Sequence, residues 1–519
     1  MEKKQNSPIG DKAPRSGKKR KGSKQRRLRT SLAAIMLVLL TLLFLDVSGT
    51  LQKPLHVLAH IQFIPALLAG NLIIVALLVL LTLYFGRVYC SVICPLGLMQ
   101  DVFGRLGKKK KKYRYTYSAA KTMLRWTVFV LFTLSLIFGI AAITTLLEPY
   151  SAFGRIMSNI FRPIYMAGNN VLAYFAELAD SYMFSASDIW IKSALVLGVA
   201  VATFIIIAVL AWRNGRTYCN TICPVGTLLG FLSRFSWLKP VIDTSKCNAC
   251  GLCARNCKAS CIDSKNHKID YSRCVACMDC IDTCTHGAIS YRHEGKKPTA
   301  GTPDGNGDKP DIGRRSFIAI ATMATATAAL AQDKKKVDGG LAVIEDKIAP
   351  KRSTPLTPPG SVSAQNMARK CTACQLCVSA CPNDVLRPSS DLSRFMQPEM
   401  SFERGYCRPE CTKCSNVCPA GAIKPIKKEE KSAIQIGHAV VIRKNCVPLT
   451  DGVECGNCAR HCPTGAILMV PSNPKDPESV KIPTVNAAVC IGCGACENLC
   501  PARPFSAIYV EGHEVHREI

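Results

Sequence analysis

The chain has 519 residues and carries 66 Lys and Arg against 36 Asp and Glu, a net charge of +30. Its length calls for several domains, and its 29 cysteines exclude a disulfide scaffold, which belongs to short secreted chains. The charge does not describe a nucleic-acid binder: much of it sits in short segments beside apolar runs, where membrane topology explains it, so no nucleic-acid partner is expected.

Residues 1–29 form a basic tail with twelve Lys and Arg. Apolar stretches follow at 28–45, about 64–85, about 123–147 and about 189–212. Each suffices to cross about 30 Å of hydrocarbon, which takes about 20 residues. A cleaved signal peptide does not fit the first stretch, because no small-residue cleavage site follows it. Residues 30–230 therefore read as an α-helical membrane domain of four spans. The segments after the second and fourth spans are basic (Arg87, Arg105, Lys108; Arg213, Arg216), whereas the loop 46–65 has only Lys53 and the loop 148–188 balances Arg155 and Arg162 with acids. The positive-inside bias puts the N-terminus and the basic segments in the cytoplasm, and the other two loops outside. His56 and His60 lie in the first outer loop, and histidine can accept a proton near neutral pH.

A motif repeats at the cytoplasmic edge. Arg87-Val-Tyr-Cys90-Ser-Val-Ile-Cys94-Pro95-Leu-Gly97 recurs as Arg216-Thr-Tyr-Cys219-Asn-Thr-Ile-Cys223-Pro224-Val-Gly226, each copy following an even-numbered span. An internal duplication would bring the four thiols together, to hold a further cluster or act as a redox dithiol set.

Six cysteine sets follow, spaced as in two-cluster ferredoxins. In such runs three close thiolates hold one [4Fe–4S] cluster and the fourth serves the other cluster of the pair. The expected ligands of the cytoplasmic module, 243–291, are Cys247, Cys250, Cys253 and Cys284 for cluster 1, and Cys274, Cys277, Cys280 and Cys257 for cluster 2. The later sets are Cys371, Cys374, Cys377 and Cys418 for cluster 3, and Cys407, Cys411, Cys414 and Cys381 for cluster 4. Cys446, Cys455, Cys458 and Cys500 form cluster 5, and Cys490, Cys493, Cys496 and Cys462 form cluster 6. Four of the six runs end in Cys-Pro; Lys258 and Thr285 replace proline in the first module, and Cys261 is left over. Zinc sites use other spacings. The modules imply α+β ferredoxin-like folds and six [4Fe–4S] clusters.

Between the modules, 292–313 has linker composition, and Arg314-Arg315-Ser316-Phe317 opens an Ala/Thr-rich run to Ala331. Residues 314–331 read as a twin-arginine-like signal or fifth anchor helix. This suits a cluster-bearing domain that must cross the membrane already folded. A Pro-rich linker, 332–365, then leads to a four-cluster domain, 366–519, on the periplasmic side of a bacterial inner membrane.

Residues 30–291, with four spans, two Cys-x3-Cys-Pro motifs and a two-cluster ferredoxin, resemble the NapH type of membrane quinol dehydrogenase in periplasmic nitrate reduction. Residues 314–519 resemble its exported four-cluster partner, the NapG type. The resemblance implies a fusion of the two. It also implies oxidation of menaquinol or ubiquinol from the membrane pool, with His56 and His60 the candidates for accepting a quinol proton, and delivery of electrons to a periplasmic reductase or cytochrome. Since the chain has no terminal reductase centre of its own, it would be the dehydrogenase component of a longer chain. The alternative is an accessory electron donor for metalloenzyme maturation.

Overall fold

A computed structural model describes residues 24–108, 115–181, 183–293 and 346–519. The twin-arginine segment with Arg314, Arg315 and Phe317, the linker 294–313 and most of the basic tail lie outside these residues. The described chain is mostly helical, with five two-stranded sheets among the described residues. Its contacts divide it into two units: residues 1–38, 77–129 and 206–293, and residues 39–76, 130–205 and 294–519.

Two helices, Lys24–Leu45 and Ala194–Asn214, are long and apolar enough to cross a membrane, judged by length and composition. Only 22% of each apolar window is buried, which a core helix of a globular domain would not tolerate. The two middle stretches are shorter than their hydropathy implied. The stretch 64–85 is interrupted at Gly70 (φ +74°) and divides into helices Phe63–Leu68 and Leu72–Phe85. The stretch 123–147 breaks at Gly139 (φ +71°) into Thr122–Phe138 and Ala141–Leu147. Glycine reaches this left-handed region without the Cβ penalty other residues bear, so each apolar run changes direction there.

The outer segments read as loops are largely helical. Residues 46–65 contain helix Gln52–His60. Residues 148–188 contain helix Pro149–Ile156, a π-turn at Met157–Phe161 and helix Arg162–Leu178. Glu148 starts this series: its carboxylate accepts from the Tyr150 and Ser151 amides, and Pro149 occupies the first helical position, where a missing N–H costs nothing.

In the first unit the ferredoxin module closes on strand Lys239–Ile242, paired antiparallel with Ile289–Arg292. A short ladder joins Ile262–Asp263 to Lys268–Ile269, and helices Leu252–Asn256 and Asp279–Thr283 carry the third cysteine of each run, Cys253 and Cys280. In the second unit Ile434–Val441 pairs with Ile508–Glu518, Ile467–Pro471 with Lys481–Val485, and Leu386–Pro388 with Pro398–Met400.

Within the second unit, the first cysteine loop of residues 366–519 packs on the helical segment 148–188 and on the start of helix Ala194–Asn214. Ser158 Oγ lies 2.8 Å from Ser379 Oγ, Asn159 donates to Gln375 at 2.6 Å, and Lys192 pairs with Asp384 at 2.9 Å. Val196, Ala373 and Met396 form a small buried core. Gly154 permits the approach, since a Cβ there would overlap the Cys374 carbonyl.

His516, on strand Ile508–Glu518, supplies a pH test. Its Nε2 lies 3.0 Å from Thr357 Oγ1, and burial, helped by His513, pushes its pKa down to about 4. A depressed folded-state pKa means that its stabilisation is complete above the unfolded value of about 6.5 and is lost as pH falls towards 4. Acidification from pH 7 to 4 should remove about 2 kcal/mol by this route, after a discount for partial exposure. His516→Gln should flatten that part of the denaturant-midpoint profile against pH.

Candidate iron–sulfur sites and a buried four-thiol centre

The cysteine loops have a common backbone form. In each of the four C-x2-C-x2-C runs, the residue before the second cysteine and the residue after it have positive φ: Ala249 and Gly251, Ala276 and Met278, Ala373 and Gln375, Gly492 and Gly494. Two left-handed residues flanking one cysteine curl the backbone into a concave arc with its thiols on the inside. The longer spacings Cys407-x3-Cys411 and Cys446-x8-Cys455 lack this pair. Amides further along donate to the cysteines that close the runs: Ala288 to Cys284 (3.3 Å), Ile423 to Cys418 (3.4 Å), Ala466 to Cys462 (3.3 Å) and Ala507 to Cys500 (3.3 Å). Such N–H···S bonds stabilise thiolate charge and tune a cluster's potential.

The thiols gather in the crossed manner the spacing implies. One pocket is lined by Cys247, Cys250, Cys253 and Cys284, a second by Cys257, Cys274, Cys277 and Cys280, and a third by Cys381, Cys407, Cys411 and Cys414. Cys371, Cys374, Cys418 and Cys414 neighbour Cys377; Cys455 and Cys500 neighbour Cys446; Cys462 neighbours Cys490 and Cys493. Burial and then the neighbouring thiols push Cys280, Cys377 and Cys496 well above the ordinary thiol range. Such sets become thiolates only beside concentrated positive charge, and the irons of a [4Fe–4S] cluster supply it. Among the described residues no three His, Cys, Asp or Glu converge tightly enough for a single metal ion. Four thiols spread around a pocket suit a polynuclear cluster better.

The two Cys-x3-Cys-Pro motifs also meet. Cys90, Cys94, Cys219 and Cys223 are each 4% exposed and are mutual neighbours. Both second cysteines cap a helix whose first residue is the following proline: Cys94 ahead of Pro95–Lys108 and Cys223 ahead of Pro224–Leu232. The motif arginines cross over. Arg87 donates to the Cys219 carbonyl at 3.3 Å and Arg216 to the Cys90 carbonyl at 2.5 Å. Gln100 donates to Cys219 Sγ at 3.2 Å, Arg87 lies 3.8 Å from Cys90 Sγ, and the Gly226 amide is 3.3 Å from Cys223 Sγ.

The same arginines tie this centre to the first ferredoxin module. Arg87 donates to the Asn220 side chain (3.0 Å) and the Ser272 carbonyl (3.1 Å), and Asn220 donates to the Ala259 carbonyl (3.2 Å). Arg216 and Lys258 clasp opposite oxygens of Asp101, both at 2.7 Å. Burial works against the Asp101 charge, but these two cations hold its pKa well below the usual carboxylate range. Lys258, which interrupts the Cys-Pro pattern, is thus an ion-pair partner. Cys261 is buried with its sulfur 3.5 Å from Cys257 Sγ, beside the second pocket. Sequence reasoning missed Gln100 and Asp101; both sit on an amphipathic helix with no motif of their own. His56 and His60 lie together on helix Gln52–His60, rings 5.5 Å apart, and His56 Nδ1 is 2.5 Å from the Lys53 carbonyl.

The crossed arginines leave no room at the motif glycines. A methyl at Gly226 would overlap the Cys219 carbonyl and crowd Arg87, and one at Gly97 would crowd the Cys90 carbonyl and Arg216. Gly226→Ala should destabilise the first unit by about 1–3 kcal/mol and expose Cys219 and Cys223 to alkylation, whereas Gly168→Ala, which meets nothing within 4 Å, should do neither. Thiol-labelling rates by mass spectrometry would check this.

Comparison with known proteins agrees with the thiol geometry. A family described as a 4Fe-4S binding domain matches residues 67–114 and 196–242, the segments that hold the two Cys-x3-Cys-Pro motifs. A 4Fe-4S dicluster domain matches 370–422 and 453–503. The methylamine utilization ferredoxin-type protein MauM of Methylophilus methylotrophus is 32% identical over 166 residues, 31% of this chain and 72% of its own. The ferredoxin-type protein NapG of Escherichia coli K12 is 30% identical over 210 residues, 37% of this chain and 83% of its own. The ferredoxin-type protein NapF of the same strain is 27% identical over 164 residues, 31% of this chain and 90% of its own. No solved structure matches the chain. With its dicluster domains and these relatives, the chain belongs to the ferredoxin-type iron–sulfur electron-transfer proteins of the NapG and MauM kind.

Proposed function

We propose that the chain is a membrane-bound quinol dehydrogenase that passes electrons through six [4Fe–4S] clusters to a periplasmic acceptor such as nitrate reductase. The observation that carries this reading is the association of thiol sets with apolar helices: the four-thiol centre follows directly on helices Leu72–Phe85 and Ala194–Asn214, and Arg87 and Arg216 bind it to the first ferredoxin module. When bound, the clusters take up and release one electron each, which divides a two-electron oxidation into steps. The protein's own groups set the surroundings. Buried Arg87 and Arg216 stabilise negative charge on the thiolates, Gln100 donates to Cys219, and the closing-cysteine amides do the same in the ferredoxin modules.

The topology we propose has the N-terminus and the module 243–291 in the cytoplasm, and 366–519 in the periplasm beyond a twin-arginine signal at 314–331. Its support is that each module packs on segments the charge bias had assigned to its own side. Lys258 and Ser272 meet Arg216, Asp101 and Arg87, while Gln375, Ser379 and Asp384 meet Asn159, Ser158 and Lys192. A second reading, a donor for metalloenzyme maturation, draws on the relatives named for methylamine utilization; deletion of the gene would then leave an acceptor enzyme unassembled rather than unreduced.

Two measurements test the proposal. Anaerobic iron analysis should find about 24 iron atoms per chain, or about 28 if the Cys90, Cys94, Cys219 and Cys223 centre holds a further cubane; zinc in place of iron and sulfide would reject the cofactor reading. Purified membranes should show menaquinol-driven cluster reduction by EPR. Cys90→Ser should abolish that electron flow while the ferredoxin-module signals remain. Equal rates in Cys90→Ser would make the centre structural only.

A further inference from the structure

In the second unit a cavity of about 260 Å³ lies where the outer helices meet the first cysteine loop of the C-terminal domain. One wall is apolar, with Met166, Leu197 and Val378; Leu197 belongs to the span-length helix Ala194–Asn214. The other wall includes Gln375, which sits between Cys374 and Cys377, and Cys381. Ligand pockets run from roughly 300 to 1,000 Å³, so this one suits a single small ring system.

Gln375 is the informative group. It is 1% exposed, and its Nε2 has no hydrogen-bond partner. The amide orientation follows from the chain of bonds around it. Asn159 Nδ2 donates to the Arg155 carbonyl at 2.9 Å, so it is a nitrogen, and its 2.6 Å partner on Gln375 must be the oxygen. The remaining Gln375 atom is an N–H2 donor without an acceptor on a cavity wall. A buried unsatisfied donor costs about 1–3 kcal/mol, and a ligand oxygen would relieve it. Lys192 and Asp384, paired at 2.9 Å, mark the side where Asp384 is 46% exposed.

We propose that this cavity is the quinol-binding site, with Gln375 Nε2 donating to one ring oxygen. Resting on the quinol reading above, the inference adds the place and the contacts. The chemistry asks for an apolar wall continuous with a membrane helix, a donor for the ring oxygen and a one-electron acceptor beside the ring. Gln375 lies on the loop of the Cys371 set, and Cys381 belongs to the Cys407 set, so two one-electron acceptors border the cavity. In the step, both quinol O–H bonds break and the two ring carbons become carbonyls. The clusters that the Cys371 and Cys407 sets would hold would each supply a one-electron acceptor for the two electrons, and the two protons would pass to water beside the half-exposed Asp384. His56 and His60 are not among the lining residues.

The test uses the full-length protein in detergent and a fluorescent quinol analogue, heptyl-hydroxyquinoline N-oxide, whose emission is quenched on binding. Leu197→Trp, which fills the cavity from its apolar wall, and Gln375→Leu, which removes the donor, should each weaken analogue binding at least tenfold. Both should slow menadiol-driven cluster reduction at least tenfold, while iron content and dithionite-reduced EPR spectra match the wild type. Met166→Trp is the second filling variant should Leu197→Trp lose clusters. Unchanged analogue affinity in variants with full iron content would overturn the site, as would loss of binding in His56→Ala or His60→Ala alone. A wild-type protein that neither binds the analogue nor is reduced by menadiol would overturn the quinol reading itself, and the site with it.

Discussion

The crossing of two buried arginines organises the first unit. Arg87 and Arg216 are 0% and 1% exposed, and each reaches out of its own motif to the cysteine carbonyl of the other copy. A charge so deeply buried persists only when most of its donors are used. Arg216 spends Nε and Nη1 on Asp101 and the Cys90 carbonyl, and Arg87 spends Nη1 and Nη2 on Asn220, Ser272 and Cys219, which leaves Arg216 Nη2 and Arg87 Nε without a partner. The same bonds therefore bring the two repeats together, place four thiols at one spot and anchor the ferredoxin module. Asp101 is the counter-charge for both Arg216 and Lys258, so one carboxylate links the repeat, its neighbour and the module. Guanidinium geometry explains why both copies keep arginine: a lysine ammonium could not serve several fixed acceptors in one plane.

The ferredoxin loops solve a different problem. Three thiols within seven residues must face one point, and an extended or helical chain would disperse them. Paired left-handed residues bend the chain enough, and in three of the four runs a non-glycine residue takes that conformation: Ala249, Ala276 with Met278, and Ala373 with Gln375. Each such residue costs of order 1 kcal/mol or more, a strain that the bonds from cluster to thiolate can offset. In Gln375 the same conformation aims a polar side chain away from its loop and towards Asn159, so one residue shapes the thiolate loop and contacts the outer helices.

Much of this was legible in the sequence because ligand spacing is a covalent constraint. The thiol sets, the crossed pairing and the meeting of Cys90, Cys94, Cys219 and Cys223 follow from short motifs and one duplication. The apolar runs were legible as runs, but their breaks were not. Gly70 and Gly139 sit in stretches whose composition is predominantly apolar, and the positive φ reveals the interruption. The helices within 148–188 were hidden because that segment mixes charge and apolar residues without an obvious period; Glu148 and Pro149 were the available start signal. Asp101, Lys258 and Gln375 were invisible for a deeper reason. Each matters through partners 100 or more residues away, such as the Lys258–Asp101 bond at a separation of 157 residues.

The contacts between the outer helices and the C-terminal domain fit a covalently joined chain. They are mostly polar (Ser151 with Thr372, Ser158 and Arg162 with Ser379, Asn159 with Gln375, Lys192 with Val378 and Asp384) around a small apolar core of Val196, Ala373 and Met396. Exposed or half-exposed ion pairs and single hydrogen bonds contribute about 1 kcal/mol or less each, so such an interface between separate proteins would be weak. A linker changes that arithmetic by holding the partner at an effective concentration of order millimolar. The relatives match only 31–37% of this chain, and what this protein joins to that shared part is a set of apolar helices. A weak docking surface then suffices to keep the Cys371 loop against those helices, and side chains there are left free to serve the cavity instead of the interface.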